Sequence, residues 1–384
     1  MRRVYLDNGA TSFPKAPGVV ESMSTYLTSV GCNVNRGSYD ISFEAENIVY
    51  ETRELICELF NFPKAENVIF TKNITESLNV LIKGLLKAGD HVIVSSMEHN
   101  AVMRPLNSLQ KHGIEYTRVK CNILGELNIE DVVSSIKPNT KAVIMPQASN
   151  VCGTVLDLKG VGSICKEKGL YFIIDSAQTA GFLDIDYEDL NADAIAFTGH
   201  KSLLGPQGIG GFVISDKLSD EITPFIEGGT GSLSDEEIQP EYMPDKFEAG
   251  TLNIPGIYGL NASLKYIMKE KVSTIREKEL YLLEHFLEGL LNIPNVNIVG
   301  KKDLSHRTAV VSIDVPGRDN AEISYELSSK FGIMTRCGLH CAPSAHKTLN
   351  TFPRGTIRFS FSHFNTMDEV EYTIDAIHKL LKKS

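Results

Sequence analysis

Between about residues 65 and 215, short apolar segments alternate with amphipathic ones, and this alternation constrains the fold most strongly. The apolar segments are rich in β-branched residues, as buried strands are, and lie at 68–70, 92–94, 142–145, 172–174 and 212–214. Helical patterns lie between most of them, at 76–86, 102–111 and 129–136. This order predicts an α/β fold with a mostly parallel central sheet and helices on both faces. Ligands of such sheets bind beyond the carboxyl ends of the strands.

The second half of the chain predicts a different arrangement. Residues 228–251 lack periodicity, so we expect a long functional loop there. A long helical pattern over 258–291 precedes a mixture of strands and helices, with strands near 296–299 and 309–313 and helices near 321–331 and 367–381. We therefore predict three parts: an N-terminal segment (1–15) packing near the small domain, a large domain (16–256), and a smaller α+β C-terminal domain (257–384).

Composition limits the partners and the compartment. The net charge of -10 argues against nucleic acid or an anionic membrane surface as the main partner. No apolar run approaches bilayer length, and Asp7 comes too early for a secretory signal. Seven scattered cysteines favour a reducing cytoplasm over a disulfide scaffold. These are Cys32, Cys57, Cys121, Cys152, Cys165, Cys337 and Cys341.

Two apolar segments end in polar residues that suit one cofactor. Residues 171–174 lead into Asp175, and residues 194–197 lead through a short polar stretch to Lys201. An acid and a lysine at the ends of neighbouring strands are what pyridoxal 5'-phosphate (PLP) requires. The lysine forms a Schiff base, and the acid keeps the pyridine nitrogen protonated. The alternatives are an exposed surface lysine and an aspartate that caps a helix.

Three further positions follow strands of the same sheet. Gln178 could donate to the phenolic oxygen of the PLP ring, and His99 could stack on that ring and move protons, although a lone histidine after a strand is more often structural. Thr75 begins a helix whose free amides could bind phosphate, or it caps that helix, and the two roles are compatible.

A loop near the C-terminus carries a candidate nucleophile. Arg336 and His340 flank cysteines in a glycine- and proline-containing stretch, which favours a thiolate at Cys341. Alternatively the cysteines are inert and buried, Cys337 and Cys341 form a redox disulfide, or both bind zinc with His340 and His346, a spacing that suits a structural zinc site poorly. We expect no metal.

Arg358 lies on a strand-like run and could clamp a substrate carboxylate, or it makes a surface salt bridge.

Assembled, these residues make the chain resemble the class V aminotransferases of PLP fold type I, and among them the group II cysteine desulfurases and selenocysteine lyases. The resemblance covers nearly the whole chain. Its further motifs are Tyr5-Leu6-Asp7-Asn8-Gly9-Ala10-Thr11, Asn33-Val34-Asn35-Arg36-Gly37, Ser149-Asn150-Val151-Cys152-Gly153-Thr154, Phe247-Glu248-Ala249-Gly250-Thr251 and the stretch from Arg336 to Ala342.

The resemblance implies a role for each candidate. Lys201 carries PLP and His99 stacks on its ring, while Asp175 and Gln178 hold the ring nitrogen and phenolic oxygen. The implied phosphate ligands are Thr75, Thr198 and His200, with Thr251 from the other subunit of a homodimer.

Substrate roles are implied in the same way. Asn150 and Arg358 hold the carboxylate of L-cysteine, and Cys341 takes its sulfur as a persulfide and leaves L-alanine, with Arg336 close by. The resemblance also implies a sulfur-acceptor protein, which would serve iron–sulfur cluster assembly or another sulfur or selenium pathway. Departures from the family pattern are Ile74, Leu339, Asn35, Asn100 and the extra thiol Cys337, which could resolve a persulfide.

These departures leave other reactions open. The alternatives are a selenocysteine lyase acting on L-selenocysteine, a cysteine sulfinate desulfinase, or another class V reaction such as transamination. A catalytically weak sulfur-relay protein is a further alternative, and intact Lys201, Asp175 and Arg358 argue against it.

Overall fold

The computed structural model describes residues 2–34, 37–233 and 235–382, so Asn35 and Arg36 of the family-like motif lie outside the described residues. The α-helices are α1 Val19–Thr25, α2 Asp40–Phe60, α3 Ile74–Leu85, α4 Asn100–Leu109, α5 Ile129–Ser134, α6 Leu158–Lys168, α7 Asp216–Glu221, α8 Ile254–Glu270, α9 Val272–Leu291, α10 Asn320–Phe331, α11 Pro343–Thr348 and α12 Met367–Lys382. The strands are β1 Val4–Tyr5, β2 Val68–Thr71, β3 His91–Ser95, β4 Glu115–Val119, β5 Thr140–Pro146, β6 Tyr171–Asp175, β7 Ala194–Thr198, β8 Gly210–Ile214, β9 Asn297–Val299, β10 Val310–Asp314, β11 Ile333–Met334, β12 Arg336–Gly338 and β13 Thr356–Ser360.

A seven-stranded sheet lies at the centre of the larger part of the molecule, in the order β2-β8-β7-β6-β5-β3-β4. Strand β8 runs antiparallel to both its neighbours, and the other pairs are parallel. The predicted mostly parallel sheet is therefore confirmed. Sequence patterns missed β4, an edge strand with exposed and half-buried residues, and they missed α1 and α2.

The central strands are buried on both faces, which explains their continuous apolar sequences. Along β5, Ala142 and Ile144 pack into the cluster formed with α3 and α4. The alternate residues Val143 and Met145 pack on the opposite face, into the cluster formed with α2 and α8. Helices thus cover both faces and leave the strand ends as the accessible edge.

The predicted single helix over 258–291 is wrong, because the structure has two helices there. Lys271 adopts a φ of 69°, in the left-handed region, and its amide bonds to the carbonyl of Ile267 to end α8. Helix α9 then begins at Val272. The loop prediction for 228–251 fits, since the described residues of that stretch contain neither helix nor strand.

A smaller antiparallel sheet, β12-β13-β10-β9, packs with α9, α10 and α12 around a separate core. The N-terminal segment joins this part, because β1 pairs in parallel with β11 and the carbonyl of Leu6 accepts from the amide of Ser360 at 2.8 Å. In the described part of the chain, every helix is too short or too polar to span a bilayer. The boundaries after residues 15 and 256 stay a prediction.

Phe286 is the centre of the smaller core. It is fully buried in α9, and its ring lies 5.0 Å from that of Phe359 and 5.3 Å from that of Phe361. We expect Phe286→Ala to lower the free energy of unfolding by about 3–5 kcal/mol, because it leaves a cavity. Urea unfolding followed by circular dichroism measures this. Tyr281→Ala is the control on the same helix, since Tyr281 is 62% exposed; equal effects of the two variants would contradict this account of the core.

Candidate active site

Strands β6 and β7 deliver Asp175 and Lys201 to one edge of the central sheet. They are parallel neighbours, with Asp175 opposite Ala196. A tight turn follows β7, in which the amide of Leu204 bonds to the carbonyl of Lys201 at 2.8 Å. Burial lowers the pKa of Lys201 to about 8, and the negative charge of Asp175 opposes that shift. Such an amine can be neutral near physiological pH, which an exposed surface lysine is not.

Three more predicted residues converge on this amine. Arg358 and Arg336 lie close enough to lower the pKa of Lys201, and a thiolate at Cys341 would raise it. The structure therefore brings together the proposed Schiff-base lysine, the acid, the nucleophile and both arginines. They come from the large sheet, from β12 and β13 of the small sheet, and from the loop after β12.

The turn that carries Lys201 is fixed by the N-terminal segment. The carbonyl of His200 accepts from the amide of Ser12 at 2.8 Å, from the hydroxyls of Thr11 and Ser12 at 3.1 and 3.2 Å, and from Nζ of Lys15 at 3.1 Å. Burial lowers the pKa of Lys15 to about 8. Sequence reasoning missed this anchor, because nothing local pairs residues so far apart along the chain.

Asp175 is buried, and its Oδ1 accepts from the amide of Ala177 at 2.9 Å. No α-helix starts there, so the helix-cap alternative is wrong. Burial raises the pKa of Asp175, while the Ala177 amide and the charge of Lys201 oppose that rise. Gln178 lies nearby, with its Nε2 donating to the carbonyl of Gly9 at 3.1 Å.

His99 combines a structural role with exposure to the site. Its Nδ1 accepts from the amide of Ala101 at 3.0 Å and so caps α4. The proton of the neutral ring must therefore lie on Nε2. Burial, followed by the charges of Lys201, Arg358 and Arg104, lowers the pKa of His99 to about 4. The cap fixes a neutral imidazole beside the lysine.

Glu98 is a buried carboxyl that sequence reasoning missed. Its Oε1 accepts from the amide and hydroxyl of Ser95 at 3.0 and 2.7 Å, and its Oε2 is buried with no partner among the described residues. Burial raises the pKa of Glu98 well above its ordinary range, the bonds from Ser95 oppose the rise, and the charge of Asp175 adds to it.

Unpartnered polar atoms lie at the end of β7. Thr198 Oγ1 and His200 Nδ1 are buried and have no hydrogen-bond partner in the described part of the chain. Burial and the charges of Lys201 and Lys15 lower the pKa of His200 to about 4. These two atoms need a polar ligand.

The N-terminus of α3 lies next to the end of β7. A Cβ added at Gly210 would lie 2.8 Å from the carbonyl oxygen of Phe197 and 3.0 Å from the Cα of Asn73, so only glycine allows this approach. The proposed cap role of Thr75 is wrong. Asn73 caps α3 by accepting from the amide of Glu76 at 3.0 Å. Thr75 is exposed in the first turn of α3.

Thr251 does not join the group around Lys201 within one chain. It is exposed and lines a groove with Thr71, Lys72 and Phe247, on the outer side of the start of α3.

Arg336 and Arg358 lie directly opposite each other on β12 and β13, and both bind Asp7. Nε of Arg336 lies 3.1 Å from both carboxylate oxygens, and its Nη2 lies 2.8 Å from Oδ2. Nη2 of Arg358 lies 3.2 Å from Oδ1. Asp7 was missed as a functional residue, because its partners lie more than 300 positions away in sequence.

Arg358 is 2% exposed, so its surface-salt-bridge alternative is wrong. Its Nη1 donates to the carbonyl of Asn150 at 3.0 Å, and its Nε is buried with no partner in the part of the chain that the structure describes. The Asn150 side chain donates to the carbonyl of His340 at 2.7 Å. Asn150 therefore binds the loop of Cys341 in this structure.

The Cys341 loop is held in an unusual backbone conformation. Gly338, His340 and Cys341 have φ values of 116°, 47° and 56°, and such values are uncommon for residues other than glycine. The carbonyl of Cys341 accepts from the amide of Asn100 at 2.8 Å. Nε2 of His340 lies 2.9 Å from Oγ1 of Thr356. These contacts hold the thiol of Cys341 exposed and close to Lys201.

The structure does not support the alternative interpretations of this loop, which were buried inert thiols, a disulfide and a zinc site. Cys341 is exposed, so it is not an inert buried thiol. Cys337 lies opposite Ile357 of the small core, where burial and Asp319 raise its pKa, so it faces away from the arginines. Within the described ranges, no group of three or more ligand side chains could hold a metal.

The pKa of Lys201 gives a direct test of the site. In cofactor-free protein we expect acylation of Lys201 to be half-maximal near pH 8, since burial favours the neutral amine. Asp175→Asn should move this midpoint to lower pH, because Asp175 stabilises the charged form. Mass spectrometry after labelling measures both midpoints.

Asp189→Asn is the matched control, since Asp189 pairs with Lys159 at the surface. A midpoint for Lys201 above pH 10, or a rise in Asp175→Asn, would contradict the described electrostatics.

Comparisons with known proteins agree with this geometry. A probable cysteine desulfurase of Pyrococcus abyssi is 34% identical over 388 residues, covering 99% of this chain and 94% of the relative. A cysteine desulfurase of Haloferax volcanii is 32% identical over 382 residues, covering 97% of this chain and 88% of the relative.

Solved structures give the same result. The apo structure of a cysteine desulfurase from Thermococcus onnurineus NA1 matches with a TM-score of 0.93 and 33% identity, over 100% of this chain and 95% of that chain. The cysteine desulfurase CsdA of Escherichia coli matches with a TM-score of 0.89 and 26% identity, over 99% and 95%. The family model for aminotransferase class V matches residues 4–373. The fold class is therefore confirmed as that of PLP fold type I, and the chain belongs to the class V aminotransferase family.

Proposed function

We propose that this chain is a PLP-dependent cysteine desulfurase, which converts L-cysteine to L-alanine and transfers the sulfur to Cys341. One observation carries the proposal: the exposed Cys341 is held at the edge of the sheet that carries Lys201. Its carbonyl accepts from the amide of Asn100, next to His99, and the neighbouring His340 carbonyl accepts from the side chain of Asn150. The names of the similar proteins point the same way.

The chain's own residues fit PLP. The buried atoms Thr198 Oγ1 and His200 Nδ1 have no partner among the residues described, and they adjoin the start of α3, whose amides favour an anion. Thr75, on the first turn of α3, supplies a further hydroxyl. Asp175 would hold the ring nitrogen, with Gln178 at the phenolic oxygen and His99 against the ring.

When bound, PLP would withdraw electrons from the α-carbon of the substrate. Lys201 would hold the cofactor and, when displaced, move the proton of that carbon. A lysine with a pKa of about 8 can accept a proton in its neutral form. The neutral imidazole of His99 would offer its Nε2 proton on the same side.

Arg358 would bind the substrate carboxylate. Its Nε is the one nitrogen of this buried guanidinium without a partner among the described residues, whereas Nη1 binds the carbonyl of Asn150 and Nη2 binds Asp7. A charged donor left unpaired in the interior is costly, and a carboxylate would satisfy it.

Cys341 would then accept the sulfur. Its thiolate attacks the sulfur of L-cysteine, a sulfur–sulfur bond forms, and the carbon–sulfur bond of the substrate breaks. The electron pair stays on the substrate's β-carbon, which takes a proton, so L-alanine and a Cys341 persulfide form without external oxidant or reductant. Because Cys341 is exposed, an acceptor protein or thiol can reach the persulfide. We propose a sulfur-acceptor protein as the physiological partner.

The first test replaces the nucleophile. With L-cysteine and a reductant, wild type should release alanine and sulfide in equal amounts, and Cys341→Ala should lose at least about 100-fold in rate, because the nucleophile is gone. Colorimetric sulfide and amino-acid analysis measure both products.

Cys337→Ala is the matched control and should keep near wild-type rates, since Cys337 faces the small core. A fully active Cys341→Ala would eliminate the persulfide route, and turnover of L-selenocysteine or cysteine sulfinate would then be measured.

We further propose a homodimer. Large apolar side chains are exposed on the first half of α2 and at the residue before it, namely Tyr39, Ile41, Phe43 and Tyr50. A groove next to Tyr50 continues to Thr230 and Asp245, in the long loop that leads to Thr251. A second copy covering this face would bring its Thr251 toward the phosphate site of the first.

Mixed dimers test this arrangement. Lys201→Ala and Thr251→Asp variants should each be nearly inactive. Co-expressed with different tags, they should form hybrids with one intact site, because each site takes Lys201 and Thr251 from different chains. The mixture should regain about a quarter of wild-type activity. Hybrids without activity, with each variant folded, would show that both residues act within one chain.

We also propose a cytoplasmic location and a division of the chain into an N-terminal segment and two domains. All seven cysteines are unpaired, which supports a reducing, cytoplasmic location. The separate core around Phe286 supports the division into an N-terminal segment, a large domain over 16–256 and a small domain over 257–384.

A further inference from the structure

We propose that Asn150 is a positioning residue for Cys341, and that its side chain couples occupancy of the carboxylate site at Arg358 to the position of the thiol. The inference rests on the proposed desulfurase function and deepens it. Asn150 is bonded on one side to Arg358 and on the other to the Cys341 loop. One residue would therefore place both the substrate carboxylate and the nucleophile.

The contacts of Asn150 form a continuous connection. Its backbone carbonyl accepts from Nη1 of Arg358 at 3.0 Å, and its Nδ2 donates to the carbonyl of His340, the residue before Cys341, at 2.7 Å. A carbonyl only accepts, so the atom of Asn150 that faces His340 must be the amide nitrogen. That nitrogen carries a second hydrogen, which can serve a carboxylate held by Arg358. Asn150 can thus bind the loop and the carboxylate at the same time.

Asn150 lies in a turn that is itself fixed. Oγ of Ser149 accepts from the amides of Val151 and Cys152 at 3.2 and 3.4 Å, and the amide of Gly153 bonds to the carbonyl of Ser149 at 3.0 Å. Asn150 is 8% exposed. A buried and internally bonded turn therefore holds the side-chain amide against the loop.

A chain of hydroxyl groups makes a second connection between the same two segments. Oγ of Ser312 donates to the carbonyl of Val151 at 2.6 Å, and Oγ1 of Thr356 donates to Oγ of Ser312 at 3.1 Å. Because the Thr356 hydroxyl has spent its one hydrogen on Ser312, Nε2 of His340 must donate to Oγ1 of Thr356, which lies 2.9 Å away. His340 is thereby held through its carbonyl and through its ring.

The Cys341 loop needs this support, because its backbone conformation is unfavourable by itself. His340 and Cys341 have φ values of 47° and 56°, which residues other than glycine keep only where surrounding contacts impose them. Without the Asn150 donor, the carbonyl of the buried His340 would lose its partner and the loop could relax. A carboxylate that fixes Asn150 would conversely reduce the freedom left to the loop, so each event favours the other.

Hydrogen–deuterium exchange of the holoenzyme tests the loop contact without turnover. In Asn150→Asp, which keeps the shape but replaces the amide donor with a carboxylate, the amides of residues 338–342 should exchange at least about fivefold faster. The amide of Asn100 should respond with them, since it bonds to the carbonyl of Cys341. Mass spectrometry of the corresponding peptides measures these rates.

Asn139→Asp is the matched control. Nδ2 of Asn139 also donates to a backbone carbonyl, that of Gly89 at 2.8 Å, but at the amino ends of β3 and β5. The same chemical change there should leave the exchange of residues 338–342 at the wild-type rate.

L-Alanine, the proposed product, tests the coupling. At concentrations that saturate its effect on the cofactor absorbance, L-alanine should slow exchange of residues 338–342 at least about threefold in wild type. In Asn150→Ala, which keeps Arg358, the loop should not respond. If Asn150 served only to bind the carboxylate, its loss would raise the L-alanine concentration required and leave exchange of the ligand-free loop unchanged.

The outcomes separate this inference from the proposed function. If wild type neither desulfurates L-cysteine nor binds L-alanine, the proposed function fails and exchange of the ligand-free loop alone decides the role of Asn150. Unchanged loop exchange in a folded Asn150→Asp overturns the inference, and so does an L-alanine effect that persists in Asn150→Ala. If Asn150→Asp does not fold, Asn150→Ala and Asn150→Ser supply the same ligand-free comparison.

Discussion

The N-terminal segment ties together the two parts of the molecule whose residues meet at the site. Strand β1 joins the small sheet, Asp7 binds both arginines, and Ser12 and Lys15 bind the carbonyl of His200. The residue after His200 is the lysine on which the proposed chemistry depends. The segment thus links the turn that carries Lys201 to Arg336 and Arg358 of the small sheet.

Burial shifts the pKa values of several titratable groups in the site. The charged groups of one cluster lie together as ion pairs. Burial lowers the pKa values of His99 and His200 and raises that of Glu98. Asp7 and the two arginines beside it are paired with each other. The site thus combines buried groups whose pKa values disfavour charge with one compensated ion-pair cluster.

The sequence predicted much of the large sheet, because buried parallel strands are short, apolar and bounded by polar residues. It also predicted that Asp175 and Lys201 lie at the ends of neighbouring strands, as they do. It missed β4, whose exposed edge gives no apolar run, and the break at Lys271, where a backbone angle decides the outcome. The contacts of Asp7 could not be predicted from sequence, because tertiary contact alone sets its partners.

The central claim is that Cys341 accepts the sulfur of the substrate. The most direct measurement is mass spectrometry of the protein quenched during turnover of L-cysteine, with the modified peptide identified. The account predicts one added sulfur atom on the peptide that contains Cys341, removed by reductant and absent from Cys337. Alanine formation with no added sulfur on Cys341, or with the sulfur on another cysteine, would contradict it.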